Sequence, residues 1–312
     1  MSNAMVSIYI PTYNHEKYIV QALDSILMQK TQYSYEVFVG EDCSTDNTRQ
    51  VLKAWEEAHP GKFNILYREE NMHGKELYNS LDLKLRCKGK YIIGLEGDDF
   101  WTDPEKLEKQ VTFLENHPEY YAVAHNCTVV GADSLPNGEM YPECKDEEYT
   151  IRHFASEVMP GQLTTLLCRN YMTDETLDDT LIRSAVGPGD LNIYFTVICR
   201  SKIFCMQESM SAYRHITSGG SSFSANHVPK FTRDELAQRM RLEYAEKYGD
   251  SEVIFCARVQ YLLFLRSIEK QRLADRATIA KARKRVPHWY TYLPVILKRD
   301  INRFLLHKTP YI

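Results

Sequence analysis

The 312-residue chain contains no long hydrophobic run. A membrane-spanning helix needs about 18 or more apolar residues in succession, and no segment approaches that length. No apolar leader typical of secretion stands near the first residue, so we expect a cytoplasmic protein. Residues 1–4 precede a second methionine and are interpreted as a remnant of expression cloning.

Paired cysteine motifs are also lacking. The chain has eight cysteines, but no two form a CxxC pair of the kind that holds zinc. Scattered cysteines favour reduced thiols over a disulfide framework. We therefore expect structural or incidental roles for all eight: Cys43, Cys87, Cys127, Cys144, Cys168, Cys199, Cys205 and Cys256.

An overall excess of positive charge is missing too. The formal net charge is −4, which argues against nucleic acid as a general partner. Internal repeats and low-complexity tracts are absent, and the length suits one large domain or a domain with a helical appendage.

Strand and helix patterns alternate along the first hundred residues. Short apolar runs that end at polar or turn residues predict strands at residues 6–10, 35–39, 63–67 and 91–95. Apolar residues at helical spacing lie between them, and Asn14 is a candidate cap for the first helix. The alternation predicts an α/β fold with a parallel sheet covered by helices.

Polar residues follow three of these strands. They occupy residues 11–14, then Glu41 and Asp42, then residues 96–99. Ligands of such sheets bind at the carboxyl ends of the strands. We therefore expect the three clusters to converge on one edge of the sheet.

The most specific of these clusters is Glu96-Gly97-Asp98-Asp99. Three carboxylates in four residues repel one another unless a cation neutralises them. Carboxylate oxygens suit Mg²⁺ or Mn²⁺, which in turn bind diphosphate oxygens. A glycine lets the backbone approach a ligand closely. A solvated acidic turn before the next helix is the alternative.

The order of motifs resembles the family 2 glycosyltransferases of the GT-A fold over residues 6–225. The resemblance implies an inverting, nucleotide-sugar-dependent enzyme with a mostly parallel central sheet flanked by helices. Glu96 stands where the family more often has aspartate. The motifs are residues 6–14 (VSIYIPTYN), 18–26 (YIVQALDSI), 40–48 (GEDCSTDNT), a loop with Asn71, Gly74 and Asn79, and residues 96–99 (EGDD).

The resemblance also assigns a donor site. Asp42 matches the acid that reads the base edge, so the nucleotide is expected to be a UDP-sugar. Asp98 matches the direct ligand of Mn²⁺ or Mg²⁺, and Glu96 approaches the ribose or the metal. Other donor-binding positions, matched or adjacent to these motifs, are Pro11, Thr12, Tyr13, Asn71 and Gly97.

An inverting transfer needs a base that deprotonates the acceptor hydroxyl. Asp190 lies in a glycine-rich turn before an apolar segment and resembles the catalytic base of the family. A helix-capping aspartate is the alternative, and Asp178 and Asp179 are rival acids. Tyr213, Arg214 and His215 with residues 217–222 resemble the segment that closes over the diphosphate. Arg214 is expected to neutralise phosphate, and His215 to reach the metal or diphosphate.

The last part of the chain is basic and predicted to be mostly helical. Residues 266–312 carry 12 Lys or Arg against three acids, beside Trp289, Tyr290 and Tyr292. A basic cluster beside aromatics is typical of a peripheral membrane contact, here with the inner face. A solvated helical face with a homodimer contact is the alternative. We predict domains at 5–225, divided into a nucleotide-binding half (5–121) and an acceptor-binding half (122–225), and at 226–312.

Taken as a whole, the sequence predicts hexosyl or N-acetylhexosaminyl transfer to a glycan or lipid-linked acceptor in cell-surface polysaccharide synthesis. Two alternatives stay open. One is a non-catalytic nucleotide- or glycan-binding relative. The other is a nucleotidyltransferase, although residues 11–14 lack the glycine-rich, basic loop that holds a triphosphate.

Overall fold

A computed structural model describes residues 4–216 and 230–305 of the protein, with side chains to residue 299. The chain forms two compact units, each built from separate segments. The first unit comprises residues 1–148, 160–179 and 203–219, and the second comprises residues 149–159, 180–202 and 220–312. The boundary predicted after residue 225 lies outside the described residues and stays a prediction.

The first unit is built on one sheet with the strand order β3-β2-β1-β4-β8-β6-β9-β5. Strands β1 to β4 pair in parallel, whereas β8 runs antiparallel to both β4 and β6. The sheet is therefore mixed. Its strands are β1 (Val6–Thr12), β2 (Tyr35–Glu41), β3 (Asn64–Tyr67), β4 (Tyr91–Gly94), β5 (Phe100–Trp101), β6 (Ala122–Val130), β8 (Leu167–Arg169) and β9 (Ile203–Arg214), with a two-residue strand β7 (Glu148–Tyr149) beside them.

Helices cover this sheet because each has one apolar face. In α1 the buried residues Ile19, Leu23 and Ile26 recur at helical spacing and join the core beneath β1. The helices of this unit are α1 (Ile19–Leu27), α2 (Thr48–Ala58), α3 (Asn79–Arg86) and α4 (Lys106–Asn116), followed by a 3₁₀ turn at Leu163–Thr165.

The predicted strands and the α/β class are confirmed. Tyr91 and the residues that follow it in β4 are fully buried, as a continuous apolar run indicates for a central strand. The cap predicted for α1 is wrong. That helix begins after Tyr18, whereas Asn14 has a φ of 58° and accepts the backbone N–H of Thr45 at 2.8 Å.

The second unit is helical, in agreement with the mostly helical structure predicted for the last part of the chain. Its longest helices carry buried apolar residues such as Leu262 and Leu265. Its helices are α5 (Ile151–Ala155), α6 (Thr180–Arg183), α7 (Gly189–Arg200), α8 (Phe231–Tyr248), α9 (Ser251–Gln271), α10 (Arg276–Arg283) and α11 (Leu293–Leu305), with a 3₁₀ turn at Trp289–Tyr292 before the last of them.

No helix in the described part of the chain combines the length and the apolar character that crossing a membrane requires. None of the eight cysteines forms a disulfide bond in the structure. Burial raises the pKa of Cys87 to about 12, which keeps that thiol protonated and inert.

Candidate active site

The loops after β1, β2 and β4 are joined by backbone hydrogen bonds at one edge of the sheet. The N–H of Asp42 donates to the carbonyl of Thr12 at 3.0 Å, and the N–H of Gly97 donates to that of Pro11 at 3.3 Å. Parallel pairing of the three strands places their carboxyl ends side by side. The structure therefore brings the three predicted clusters together.

Gly97 allows the acidic loop to approach the end of β1. A Cβ atom at this position would lie 2.7 Å from the Nδ1 atom of His15 and 2.7 Å from the Oγ1 atom of Thr12. Both distances are shorter than any relaxed contact of a carbon atom, so a larger residue would push the loop away. Glycine is thus required here by close packing of the protein on itself.

His15 is a site residue that the sequence did not identify. Its Nε2 atom lies 3.7 Å from Oδ2 of Asp98, and its Nδ1 atom lies 3.2 Å from Oγ1 of Thr12. The imidazole is 11% exposed and Asp98 is 28% exposed. His15 therefore links the predicted nucleoside loop to the predicted metal ligand. A lone histidine in a loop carries no signal of such a contact.

Asp99 faces inward, unlike Asp98. Its side chain is buried, its Oδ1 accepts the backbone N–H of Arg214 at 2.8 Å, and its Oδ2 has no hydrogen-bond partner. Burial, followed by repulsion from Asp98, raises the pKa of Asp99 well above its usual range. Asp99 anchors the loop from beneath, and Asp98 is the accessible member of the two adjacent aspartates.

Arg214 supports the acidic loop from within the protein. Its guanidinium donates to the carbonyls of Asp98 and Gly131, both at 2.8 Å, and it stacks 4.1 Å from the centre of the Tyr18 ring. The third nitrogen donates to Gln21 at 2.9 Å. Every guanidinium nitrogen has a partner in the protein, and the phosphate contact predicted for Arg214 stays a prediction. The observed role is to position the loop.

Asp42 and Asn71 are held together, as the predicted donor site requires. Asp42 is 9% exposed; its Oδ1 accepts the N–H of Met72 at 2.8 Å, and its carbonyl accepts the Asn71 amide at 2.9 Å. Burial raises the pKa of Asp42. Among the described residues, Oδ2 accepts no hydrogen bond. This carboxylate oxygen is therefore available to an incoming hydrogen-bond donor.

The segment that contains Asn71 borders an open cavity of 740 Å³. Its backbone contacts Asp42 through Met72, and Met72 itself lines the cavity. The volume lies within the range typical of small-molecule sites. The lining residues are Arg68, Glu69, Glu70, Met72, Lys75, Glu76 and Leu77.

A buried ion pair fixes the loop after β2. Glu41 is fully buried, pairs with Arg49 at 2.5 Å and accepts the N–H of Ser44 at 2.6 Å. Asp46 accepts the N–H groups of Thr48 and Glu16, at 2.9 and 3.1 Å. Asp46, one residue before the N-cap Asn47, thus joins the start of α2 to the loop after β1.

Tyr13 and Glu96 are half-buried, and Trp101 is fully buried. The Trp101 indole donates to the carbonyl of Thr164 at 3.1 Å, so this ring is part of the core. His215 pairs with Glu139 at 2.5 Å. No contact in the described residues joins His215 to Asp98. Its predicted metal role stays a prediction, and residues 217–222 lie outside the described residues.

Asp190 lies in the second unit, in the first turn of α7. The N-cap position of that helix is Pro188, so Asp190 is not the cap residue that the alternative interpretation required. A carboxylate in the first turn is stabilised by the helix dipole. Electrostatic attraction also links Asp190 to the buried Arg241.

The acidic loop fits a hard divalent cation that is held mainly by its substrate. No residue of the acidic loop belongs to a group of three His, Cys, Asp or Glu ligand atoms that lie within 4.8 Å of one another in the described part of the chain. A closed protein cage is therefore not formed here. Mg²⁺ characteristically binds through one or two carboxylates together with substrate phosphates. Asp98, accessible and carrying one carboxylate, suits that arrangement.

An open α/β sheet with polar loops at the carboxyl ends of its parallel strands defines a class of ligand-binding proteins. The profile of Glycosyl transferase family 2 matches residues 7–164, about half of the chain. The chain belongs to this family.

Two known proteins are similar to this chain in sequence. An uncharacterized protein of Mycobacterium tuberculosis is 29% identical over 222 residues, 69% of this chain and 60% of its own length. The Staphylococcus aureus poly(ribitol-phosphate) β-N-acetylglucosaminyltransferase TarS is 34% identical over 116 residues, 36% of this chain and 19% of TarS. The chain therefore spans less than two thirds of these relatives.

Solved structures establish the GT-A type fold. Residues 1–349 of TarS, in complex with UDP-GlcNAc, superpose with a TM-score of 0.62 at 19% identity, covering 85% of this chain and 72% of that one. The mannosyltransferase PcManGT from Pyrobaculum calidifontis, in complex with GDP-Man and Mn²⁺, gives 0.52 at 15% identity, covering 99% and 89%. At these identities the likeness establishes the fold alone.

Proposed function

We propose that this protein transfers a hexosyl or N-acetylhexosaminyl group from a UDP-sugar to an acceptor hydroxyl, with inversion at the anomeric carbon. The observation that carries the proposal is the juxtaposition of Asp42, Thr12 and Asp98 at one edge of the sheet in a family 2 domain. UDP-GlcNAc bound to TarS, which has the same fold, supports a uridine donor.

The donor half of the mechanism follows from the first unit. Asp42 accepts the N3–H of uracil through Oδ2, while the N–H of Met72 holds the carboxylate and the Asn71 amide holds the backbone carbonyl of Asp42. Tyr13 offers a half-buried ring for stacking. Asp98 and Glu96 would hold Mn²⁺ or Mg²⁺, and the ion would supply positive charge against the diphosphate leaving group. The Mn²⁺ of the mannosyltransferase complex supports this choice of ion.

The acceptor half depends on a general base. Asp190 takes the proton of the acceptor hydroxyl as that oxygen attacks the anomeric carbon. The first turn of α7 favours the ionised carboxylate before the transfer. The acceptor is a glycan or lipid-linked glycan of a cell-surface polysaccharide, a class supported by the poly(ribitol-phosphate) acceptor in the name of TarS.

Asp42→Asn tests the uridine assignment. The amide can present its nitrogen to N3–H or turn its oxygen toward it, but it loses the charge-assisted bond. We expect UDP affinity, measured by calorimetry with Mn²⁺, to fall by about tenfold or more. Asp24→Asn is the matched control, because Asp24 accepts the Trp55 indole at 2.9 Å and an amide oxygen can do the same. Unchanged UDP affinity in Asp42→Asn would contradict the assignment.

A peripheral membrane contact is also part of the proposal. Leu293 and Leu297 lie one turn apart on α11 and are 37% and 50% exposed, close in sequence to Tyr290 at 57%. Lys284 and Lys298 are exposed nearby in the sequence. Exposed apolar residues beside cations suit an anionic lipid surface.

Vesicle sedimentation distinguishes this contact from a homodimer. We expect the protein to pellet with phosphatidylserine vesicles and to stay in solution with phosphatidylcholine, because each cation adds about 1 kcal/mol near an anionic surface. Leu297→Glu should abolish pelleting. Pelleting that persists in the variant, or a dimer by light scattering that the variant dissociates, would show that this surface has another role.

A further inference from the structure

The second unit contains a cavity of 460 Å³ that the donor and acceptor chemistry above does not use. Its wall combines cations with apolar side chains. The cations are Arg241, Arg266, Lys270 and Arg299, and the only acid among the lining residues is Glu157. The wall therefore has a formal excess of three positive charges in a protein whose net charge is −4.

Arg241 is the group that most needs a partner. It is 6% exposed, and Nη1 donates to Oδ1 of Asn192 at 3.2 Å. Asp190 attracts this guanidinium electrostatically, but among the described residues no carboxylate forms an ion pair with it within 4.0 Å. A guanidinium has five donor hydrogens, and burying the charge is costly unless an anion compensates it. The cavity beside it provides the place for that anion.

Arg299 brings a second buried guanidinium to the same wall. It is 6% exposed and donates to the carbonyl of Ala155 at 2.6 Å and to Glu157 at 3.2 Å. Arginine forks match the oxygen geometry of phosphate, which explains their use in phosphate recognition. Two such groups at one cavity favour a phosphate over a single carboxylate.

The rest of the wall is apolar. Phe154, Leu263 and Phe264 line the cavity together with Leu191, the residue after the proposed base Asp190. A cavity for a free inorganic anion would have no use for these side chains, because they exclude water without bonding to it. The ligand must therefore be apolar in one part and anionic in another.

We propose that this cavity binds a phosphate ester that carries an apolar chain. The guanidinium groups of Arg241 and Arg299 contact the phosphate, Lys270 adds charge at its exposed position, and the apolar side chains contact the chain. We further assign the ester to the acceptor, because Leu191 lines the cavity and follows Asp190 in the chain. This assignment rests on the proposed function. The binding itself does not.

Hexyl phosphate is a probe short enough to remain dissolved as single molecules. In calorimetry we expect it to bind at least about tenfold more tightly than inorganic phosphate, because it also buries apolar carbons. We expect hexyl phosphate to bind more tightly than 1-hexanol by a similar factor, because the alcohol has no charge. Equal affinity of hexyl phosphate and inorganic phosphate would assign the site to free anions, and equal affinity of hexyl phosphate and hexanol would assign it to neutral apolar ligands; either result overturns the proposal.

Variants place the probe in this cavity. Arg241→Met roughly keeps the length of the side chain and removes the charge. It should lower the affinity for hexyl phosphate by at least about tenfold. Lys270→Gln changes an exposed residue without risk to folding and should weaken it by about threefold. Arg239→Gln is the matched control, since Arg239 lies on α8 with Arg241 but does not line the cavity.

UDP binding separates this proposal from the proposed function. If hexyl phosphate binds wild type, Arg241→Met and Lys270→Gln with equal affinity, its site lies elsewhere. The proposal then fails, whether or not the protein binds UDP. If Arg241→Met does not fold, Lys270→Gln alone decides. Loss of UDP binding in the wild-type protein would instead overturn the proposed donor and leave the cavity assignment standing.

Discussion

Replacing Asp98 with asparagine should reduce sugar transfer by on the order of 10³-fold, equivalent to about 4 kcal/mol of transition-state stabilisation. Asp98 is the accessible one of the two adjacent aspartates after β4, since Asp99 is buried beneath it and bonded to Arg214. An amide in place of the carboxylate binds a hard cation poorly, so the diphosphate would depart without charge neutralisation.

The readouts for Asp98→Asn can be divided between metal and nucleotide. We expect the stabilisation by UDP with Mn²⁺, measured by thermal shift, to drop to the level seen with UDP and a chelator. UDP without metal should bind the variant at least as well as wild type, because a negative charge near the diphosphate has been removed. Mn²⁺-dependent stabilisation that survives in the variant would exclude Asp98 as the ligand.

His15 gives this experiment a useful comparison. Its ring lies 3.7 Å from Asp98 and 3.2 Å from Thr12. The loss of this histidine would release Asp98 without removing the carboxylate. A variant of His15 is therefore expected to lower the affinity for Mn²⁺ by less than Asp98→Asn does. Loss of a residue that contacts a metal ligand typically lowers metal affinity by about 10- to 100-fold.

The framework of the fold could be predicted because it depends on local pattern. Apolar runs such as residues 91–95, each ended by turn residues, predict the strands β1 to β4. The same pattern shows which polar residues follow each strand. Once those strands are parallel, the convergence of Asp42 and Asp98 on one edge follows from sheet geometry. The three-residue β8 is too short to carry a periodic pattern, and its antiparallel pairing was missed for that reason.

Contacts between distant residues could not be predicted. The sequence motif gave Arg214 a charge suited to phosphate, but tertiary packing places its three nitrogens against Asp98, Gly131 and Gln21. The segments of the second unit are likewise interleaved with those of the first along the chain. Neither result has a local signal, because both depend on which surfaces meet after folding.

The general base can be tested by a change that preserves shape. Asp190→Asn should lower kcat by on the order of 10³-fold, because an amide cannot accept the acceptor proton. The KM for the donor and the affinity for UDP should stay near wild type, since Asp190 belongs to the acceptor half of the mechanism. This split distinguishes a base from a residue that only stabilises α7.

The pH profile of Asp190→Asn adds a second criterion. In the wild-type enzyme kcat should decline on acidification as the base becomes protonated, and this decline should disappear in the variant. Asp179→Asn is the matched control, since Asp179 is one of the two rival acids of the sequence and belongs to the first unit, whereas Asp190 belongs to the second. Full transfer by Asp190→Asn together with loss in Asp179→Asn would move the base to the rival. Full transfer by both variants would place the base outside this pair of acids. Loss in Asp190→Asn alone, with the acidic decline gone and UDP affinity kept, would assign the proton transfer to the first turn of α7.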